Sequence, residues 1–119
     1  MKYLAWIPIS IALTFAFTAN AQQNYPTRPL RVVVFIPAGG AADFLARVTA
    51  QKLGDALGQT VVVDNRAGMG GVIATNLVAK AAPDGYTLLQ CGITTHGIGP
   101  HVYTDLPYDP VKDFAPVIL

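Results

Sequence analysis

The sequence predicts an α/β fold built on a parallel sheet, and three observations support this prediction. Three short segments, 30–36, 60–63 and 86–91, are rich in apolar and β-branched residues. Two longer segments between them have the apolar spacing of an amphipathic helix. Almost continuously apolar strands are typical of a parallel sheet that is covered on both faces. The alternation of strand and helix therefore indicates a parallel sheet with helices packed on it.

The first 21 residues have the three parts of a cleavable export signal. Lys2 supplies the positive charge, residues 4–17 are apolar, and Ala19-Asn20-Ala21 matches a small-x-small cleavage site. The apolar run is shorter than the roughly 20 residues of a membrane-spanning helix. A membrane anchor and an N-terminal core helix are the alternatives. We expect cleavage after Ala21 and a periplasmic product.

The first predicted strand, 30–36, ends at Pro37, and a loop of small residues leads into a predicted helix over 43–57. Gly58 is a typical helix stop. The apolar period predicts that one stripe of this helix faces the core. The stripe comprises Leu45, Thr49, Leu53, Ala56 and Leu57.

A second strand over 60–63 precedes a glycine-bearing loop over 64–71 and a helix over 72–82. A turn at 83–85 then leads into the third strand. After Gly92 the chain looks irregular, until a final run at 114–119 resembles the beginning of a strand. The second helix is expected to bury Ile73, Leu77, Val78 and Ala81 and to expose Thr75, Asn76 and Lys80. The single cysteine, Cys91, ends an apolar run and is expected to be buried.

Charge and motifs argue against several classes of function. Removal of Lys2 with the signal would leave seven basic and seven acidic residues, which argues against a nucleic-acid binder. No phosphate-binding Gly-x4-Gly-Lys motif is present, and Ile73 interrupts a dinucleotide-like run that starts at Gly68. The part after the signal contains no serine. We expect neither catalysis nor a cofactor, and His96 and His101 alone do not predict a metal site.

Three loops are expected at the carboxyl ends of the strands, where open parallel sheets bind ligands. They span 37–42, 64–71 and 92–97. Glycine allows close approach to the backbone, and a helix start provides free N–H groups for an anion. Tight turns without a ligand are the alternative. The candidate ligand-binding residues are Pro37, Ala38, Gly39, Gly40, Ala41, Asp43, Gly70, Gly71, Thr94, Thr95 and His96.

The charged and polar candidates each have two interpretations. Asp43 could cap the first helix or orient a polar group of a ligand. Residues 94–96 could hydrogen-bond a carboxylate or form a threonine-rich turn. Arg66 could bind an anion in bidentate fashion or form a surface or inter-loop salt bridge.

The combination of these loops resembles the extracytoplasmic receptors of tripartite tricarboxylate transporters, the Bug family. The resemblance covers nearly the whole chain after the signal. It rests on Pro37-Ala38-Gly39-Gly40-Ala41-Ala42-Asp43, on Asp64-Asn65-Arg66 with Gly68-Met69-Gly70-Gly71, on Pro83-Asp84-Gly85-Tyr86, on Thr95-His96, and on Leu106-Pro107-Tyr108-Asp109-Pro110.

The resemblance implies a type II periplasmic-binding-protein-like fold, in which two lobes close on a ligand like a Venus flytrap. It implies a noncatalytic, monomeric receptor that delivers a small organic acid to the permease subunits of its transporter. It also implies that residues 37–43 and 94–96 hold a ligand carboxylate, partly through ordered water.

The sequence departs from the family pattern at several positions. Ala42 and Val72 stand where a hydroxyl or amide side chain is usual, and Gly99 replaces a common Asn. Fewer polar groups favour a less polar ligand or an imperfect receptor. The family's members are much longer, so we expect 22–119 to be the first part of one lobe, with the second lobe missing. A nonfunctional or structural truncated fragment and a nucleotide-binding α/β enzyme domain are the alternatives.

Overall fold

The computed structural model describes residues 25–117, so the predicted export signal lies outside the described residues. The predicted order of strands and helices is confirmed. The elements are β1 (Leu30–Val34), α1 (Ala41–Leu57), β2 (Val61–Asn65), α2 (Val72–Ala79), β3 (Thr87–Gln90) and α3 (Gly99–Val102), with a 3-10 turn at Met69–Gly71 and a π-helical turn at Ile93–Ile98. Within this part of the chain, no helix combines the length and apolar character that crossing a membrane requires.

The sheet has the order β2-β1-β3, and both pairings are parallel, as predicted. Leu30, Val33 and Val34 of the central strand are each at most 2% exposed, so β1 forms the middle of the core. Val34 pairs with Asn65 on one side and with Gln90 on the other. The carboxyl ends of the three strands therefore lie side by side.

The predicted buried stripe of α1 is wrong. Ala46 and Ala50 are buried, whereas Leu45 is 58% exposed, and Thr49 and Ala56 are also exposed. The helix lies close to the end of its own connection, because a Cβ added at Gly54 would be 3.0 Å from the Gln59 carbonyl oxygen. The buried apolar side of α1 thus consists of small residues, and Leu45 lies outside it. The predicted stop is confirmed, since Gly58 adopts a left-handed φ of 66° after the last helical residue.

The predicted burial in α2 is also wrong at two positions. Ile73 is 46% exposed, whereas Thr75 is fully buried. The hydroxyl of Thr75 donates to the Gly71 carbonyl oxygen at 2.8 Å, and this bond makes burial of a polar side chain tolerable. The helix is shorter than predicted, and its approach is a 3-10 turn rather than an open loop.

The segment after β3 is helical rather than irregular. The N–H groups of Thr95 and His96 both donate to the Gly92 carbonyl oxygen, which starts the π-helical turn.

Cys91 is exposed, contrary to prediction, because β3 stops at Gln90 and is an edge strand of the described sheet. Residues 114–117 form no strand, and the last two residues of that predicted strand lie outside the described part.

A cluster of aromatic and charged side chains, called here the N-terminal clamp, joins residues 25–28 to the turn before β3. The Tyr25 hydroxyl donates to the Gly85 carbonyl oxygen at 2.6 Å. The Arg28 guanidinium lies 4.2 Å from the centroid of the Tyr86 ring and forms an ion pair with Asp84 at 2.7 Å. The clamp holds the beginning of the described chain at the amino ends of the strands.

Candidate functional site

The three loops at the carboxyl ends of the strands meet around an open cleft of about 340 Å³. This convergence follows from the parallel sheet, whose strands all end at the same edge. The cleft is lined by Phe35, Ile36, Pro37, Ala67, Gly68, Gly70, Gly71 and Thr94. Four of the predicted binding residues, Pro37, Gly70, Gly71 and Thr94, therefore lie in its wall.

Two glycines of this wall are closely packed by side chains. Gly71 precedes α2 with φ +97°, and a Cβ added there would overlap the methyl group of Thr95 and lie 3.2 Å from the Phe35 ring. Gly70 has φ +60°, and its added Cβ would lie 2.8 Å from the Tyr103 hydroxyl oxygen. The left-handed φ favours glycine at both positions, and at Gly71 the packing against Thr95 and Phe35 also leaves no space for a side chain.

The neighbouring threonines have different positions. Thr94 is exposed and lines the cleft. Thr95 is 1% exposed, and its hydroxyl accepts the Gly92 N–H at 3.0 Å and lies 2.9 Å from the Gly92 carbonyl oxygen. Thr94 is therefore available to a ligand, while Thr95 stabilises the turn behind it.

His96 packs behind the turn and is not part of the cleft wall. Its Nδ1 lies 3.1 Å from the Thr95 hydroxyl oxygen, and its ring meets the Phe114 ring edge-on at 5.0 Å. Burial lowers the pKa of His96, because the charged imidazolium loses hydration there. The ring is therefore neutral at pH 7.

Asp43 lies behind the first loop rather than in the cleft. It is 3% exposed, and its Oδ2 accepts the Gly39 N–H at 2.9 Å and the Arg47 Nε–H at 3.0 Å. Its Oδ1 accepts from Asn65 Nδ2 at 2.9 Å. These donors, Arg47 above all, lower the pKa of Asp43 to about 2. The carboxylate is thus paired within the protein, and the loop residues 38–41 beside it are exposed without lining the cleft.

Arg66 forms a surface salt bridge with Asp64 of β2, two residues before it, and not a bridge between loops. Its Nε lies 3.1 and 3.0 Å from the two carboxylate oxygens of Asp64. Arg31 contacts the same carboxylate through Nε at 2.9 Å. Hydrogen bonding from Arg31, with a smaller contribution from Arg66, lowers the pKa of Asp64.

The sequence reasoning missed several residues of the site. Phe35 and Ile36 lie in the cleft wall, although the sequence assigns them to a strand. Asn65 joins Asp43 to the Ile36 carbonyl oxygen. A signal for Asn65 exists in the sequence, since an amide side chain directly after an apolar strand lies at the edge where parallel sheets bind ligands. Among residues 25–117, no cluster of three or more His, Cys, Asp or Glu side chains could hold a metal ion.

Comparison with known proteins relates the whole chain to one group. A UPF0065 protein of Bordetella bronchiseptica is 45% identical over 116 residues, which cover 98% of this chain and 34% of the relative. The chain thus spans about a third of the length of the curated relatives it matches.

Two solved structures from Rhodopseudomonas palustris have the same fold over this part. MatC with bound malate has a TM-score of 0.75 and 41% identity, covering 78% of this chain and 32% of MatC. A protein solved with adipate has a TM-score of 0.69 and 42% identity, covering 72% of this chain and 29% of that protein.

The profile of the family described as "Tripartite tricarboxylate transporter family receptor" matches residues 45–119, which is more than half of the chain. The parallel sheet and its glycine-lined loops agree with that match. The chain belongs to the tripartite tricarboxylate transporter receptor family.

Proposed function

We propose that the whole protein is a periplasmic, noncatalytic receptor that binds a small organic acid and delivers it to the permease of its transporter. The observation that supports this proposal best is the cleft at the carboxyl ends of the strands, which is lined by Gly70 and Gly71 at the start of α2 and by the exposed Thr94. Residues 22–119 would form the first part of one lobe, and a second lobe would close over the cleft. The receptor would act as a monomer.

The start of α2 is suited to a carboxylate. The start of a helix carries positive potential, which attracts an anion. The N–H groups of Gly71 and Val72 donate to the Gly68 and Met69 carbonyl oxygens, so the attraction would come from this potential rather than from these two donors. Gly70 and Gly71 carry no side chain of their own at this end of the helix, although the side chains of Thr95, Phe35 and Tyr103 pack against them. A carboxylate seated there could also accept a hydrogen bond from Thr94, directly or through water.

The remaining wall favours a ligand with an apolar carbon chain. Phe35, Ile36 and Pro37 supply apolar surface, and Thr94 is the one polar side chain among the lining residues of the described chain. Val72 and Ala42 bring no further hydroxyl or amide to the loops. Of the two acids bound by the relatives, adipate has the longer hydrocarbon chain and malate has a hydroxyl group. We infer that this receptor binds adipate more tightly than malate.

Isothermal titration of the exported product of the complete reading frame tests the proposal. Adipate and malate are the probes, and ATP tests for a nucleotide-binding enzyme. We expect binding of adipate, weaker binding of malate and no binding of ATP. Binding of ATP without either acid would favour the enzyme alternative, and a failure to bind any organic acid in a wider panel would refute the receptor proposal.

The predicted export requires a separate measurement. The intact mass of the protein recovered from the periplasm should equal that of a chain beginning at residue 22. A product that retains Met1 and remains with the membrane would instead support the anchor alternative.

A further inference from the structure

The side-chain amide of Asn65, the last residue of β2, forms three hydrogen bonds to residues outside its own strand. Its Nδ2 donates to the Ile36 carbonyl oxygen at 3.1 Å and to Asp43 Oδ1 at 2.9 Å. An amide nitrogen has two hydrogens, so both bonds can exist together. The Oδ1 of Asn65 accepts from Arg47 Nη2 at 3.2 Å.

Asp43 extends this network to the glycine loop. Its two oxygens accept from Gly39, Arg47 and Asn65, so each donor has a place on an ionised carboxylate. Hydrogen bonds to an ionised partner are stronger than those between neutral groups. The segment from Ile36 to Gly39 is therefore linked to Asn65 directly at Ile36 and through Asp43 at Gly39.

The network connects two walls of the cleft without lining it. Ile36 belongs to the first wall, and Ala67, two residues after Asn65, belongs to the second. We propose that Asn65 is a positioning residue that sets the separation of these two walls, and thereby the fit of an organic acid between them. This inference rests on the proposed function, because it assigns Asn65 a role in the same cleft.

The test uses the complete protein with three single variants. Asn65→Ala removes both donated bonds, and Asn65→Asp places a second carboxylate beside Asp43 and the Ile36 carbonyl. Ala50→Gly is the matched control, because it weakens α1 at a buried position outside the network. For each variant we would measure the dissociation constant for adipate, the urea midpoint and the amide chemical shift of Gly39.

We expect Asn65→Ala to raise the dissociation constant for adipate about tenfold, which corresponds to the loss of one hydrogen bond to a charged group. Asn65→Asp should raise it further, and both should shift the Gly39 amide. Ala50→Gly should lower the urea midpoint with little effect on affinity or on Gly39. Equal losses of affinity in Asn65→Ala and Ala50→Gly, at matched stability, would reduce Asn65 to a structural role and overturn the inference.

Two further results separate this inference from the proposed function. If the wild-type protein binds no organic acid, the receptor proposal fails. Independently of that result, an unchanged chemical shift of the Gly39 amide in Asn65→Ala would overturn the positioning role. If Asn65→Ala does not fold, Arg47→Ala removes only the exposed member of the network. It should still shift the Gly39 amide and weaken adipate binding, and no change in either would contradict the inference.

Discussion

A side chain at Gly71 would overlap the methyl group of Thr95, because the start of α2 packs directly against the turn after β3. Gly71→Ala should therefore destabilise the protein for two separate reasons. The left-handed φ of +97° costs an alanine about 1–2 kcal/mol. The overlap adds roughly 1–3 kcal/mol. Urea unfolding of the complete protein measures the sum.

Gly39 provides the matched control for that variant. Its φ is +92°, yet among the described residues an added Cβ would meet no atom within 4 Å. Gly39→Ala should show the backbone cost alone and remain clearly more stable than Gly71→Ala. An equal decrease in the free energy of unfolding in the two variants would mean that Thr95 can move aside without destabilising the protein.

The two neighbouring threonines should respond differently to removal of the hydroxyl. Thr94→Val should change stability by less than about 0.5 kcal/mol, since Thr94 is exposed. It should weaken adipate binding roughly tenfold to a hundredfold through loss of one hydrogen bond to the ligand carboxylate. Thr49→Val, an exposed threonine on α1, should leave binding unchanged.

Thr95→Val should instead lower stability by about 1–3 kcal/mol, because it leaves the Gly92 N–H without its acceptor. Titration calorimetry and urea unfolding of both variants separate the two effects. Loss of affinity without loss of stability in Thr95→Val would contradict the arrangement of the turn.

The pKa of Asp43 predicts a dependence of stability on acid. Its folded pKa of about 2 lies below the ordinary pKa of 3.8 for an unperturbed aspartate. A depressed folded pKa stabilises the protein above the unfolded pKa, and this contribution is lost as the pH falls from about 4 through 2. Asp43→Asn should therefore be less stable at pH 7 and should lose less stability over that interval. Urea unfolding at several pH values provides the comparison.

Ala50→Gly supplies the control for the acid experiment, since it changes α1 without changing charge. It should lower stability by a similar amount at each pH. A wild-type protein and an Asp43→Asn variant with parallel pH curves would contradict the paired carboxylate.

The exposed thiol of Cys91 should react with a water-soluble disulfide reagent in the native protein. The expected rate is within about tenfold of the rate in denaturant, because an exposed thiol needs no opening of the fold. Cys91→Ser should abolish the reaction and leave stability nearly unchanged. If Cys91 reacts only after unfolding, the thiol is buried, as the sequence predicts, and the exposed position is wrong.

The sequence predicts the architecture well because strand, helix and loop signals alternate clearly. The sequence does not predict correctly which side chains of α1 and α2 are buried. A pattern of large apolar residues favours Leu45 as core, but the close approach of α1 selects Ala46 and Ala50. Likewise Thr75 is buried through a bond to its own helix, which residue type alone does not reveal. Close approach depends on tertiary packing, and a single sequence does not record it.

The location of the candidate site is predictable from strand direction, but its composition is only partly so. Gly70, Gly71 and Thr94 line the cleft as expected, while Asp43 faces the interior because three donors surround it. The sequence places Phe35 in a strand and therefore does not predict its position in the cleft wall. Whether any of these residues contacts a ligand stays a prediction.

The N-terminal clamp has a practical consequence for immobilising the protein. The clamp lies at the amino ends of the strands, and the cleft lies at their carboxyl ends. A strand of five residues separates the two by about 17 Å. A receptor attached to a sensor chip through residues just before Tyr25 would therefore present its cleft to solution rather than to the chip. Attachment through Cys91 would do the opposite, since that thiol adjoins the loop that carries Thr94.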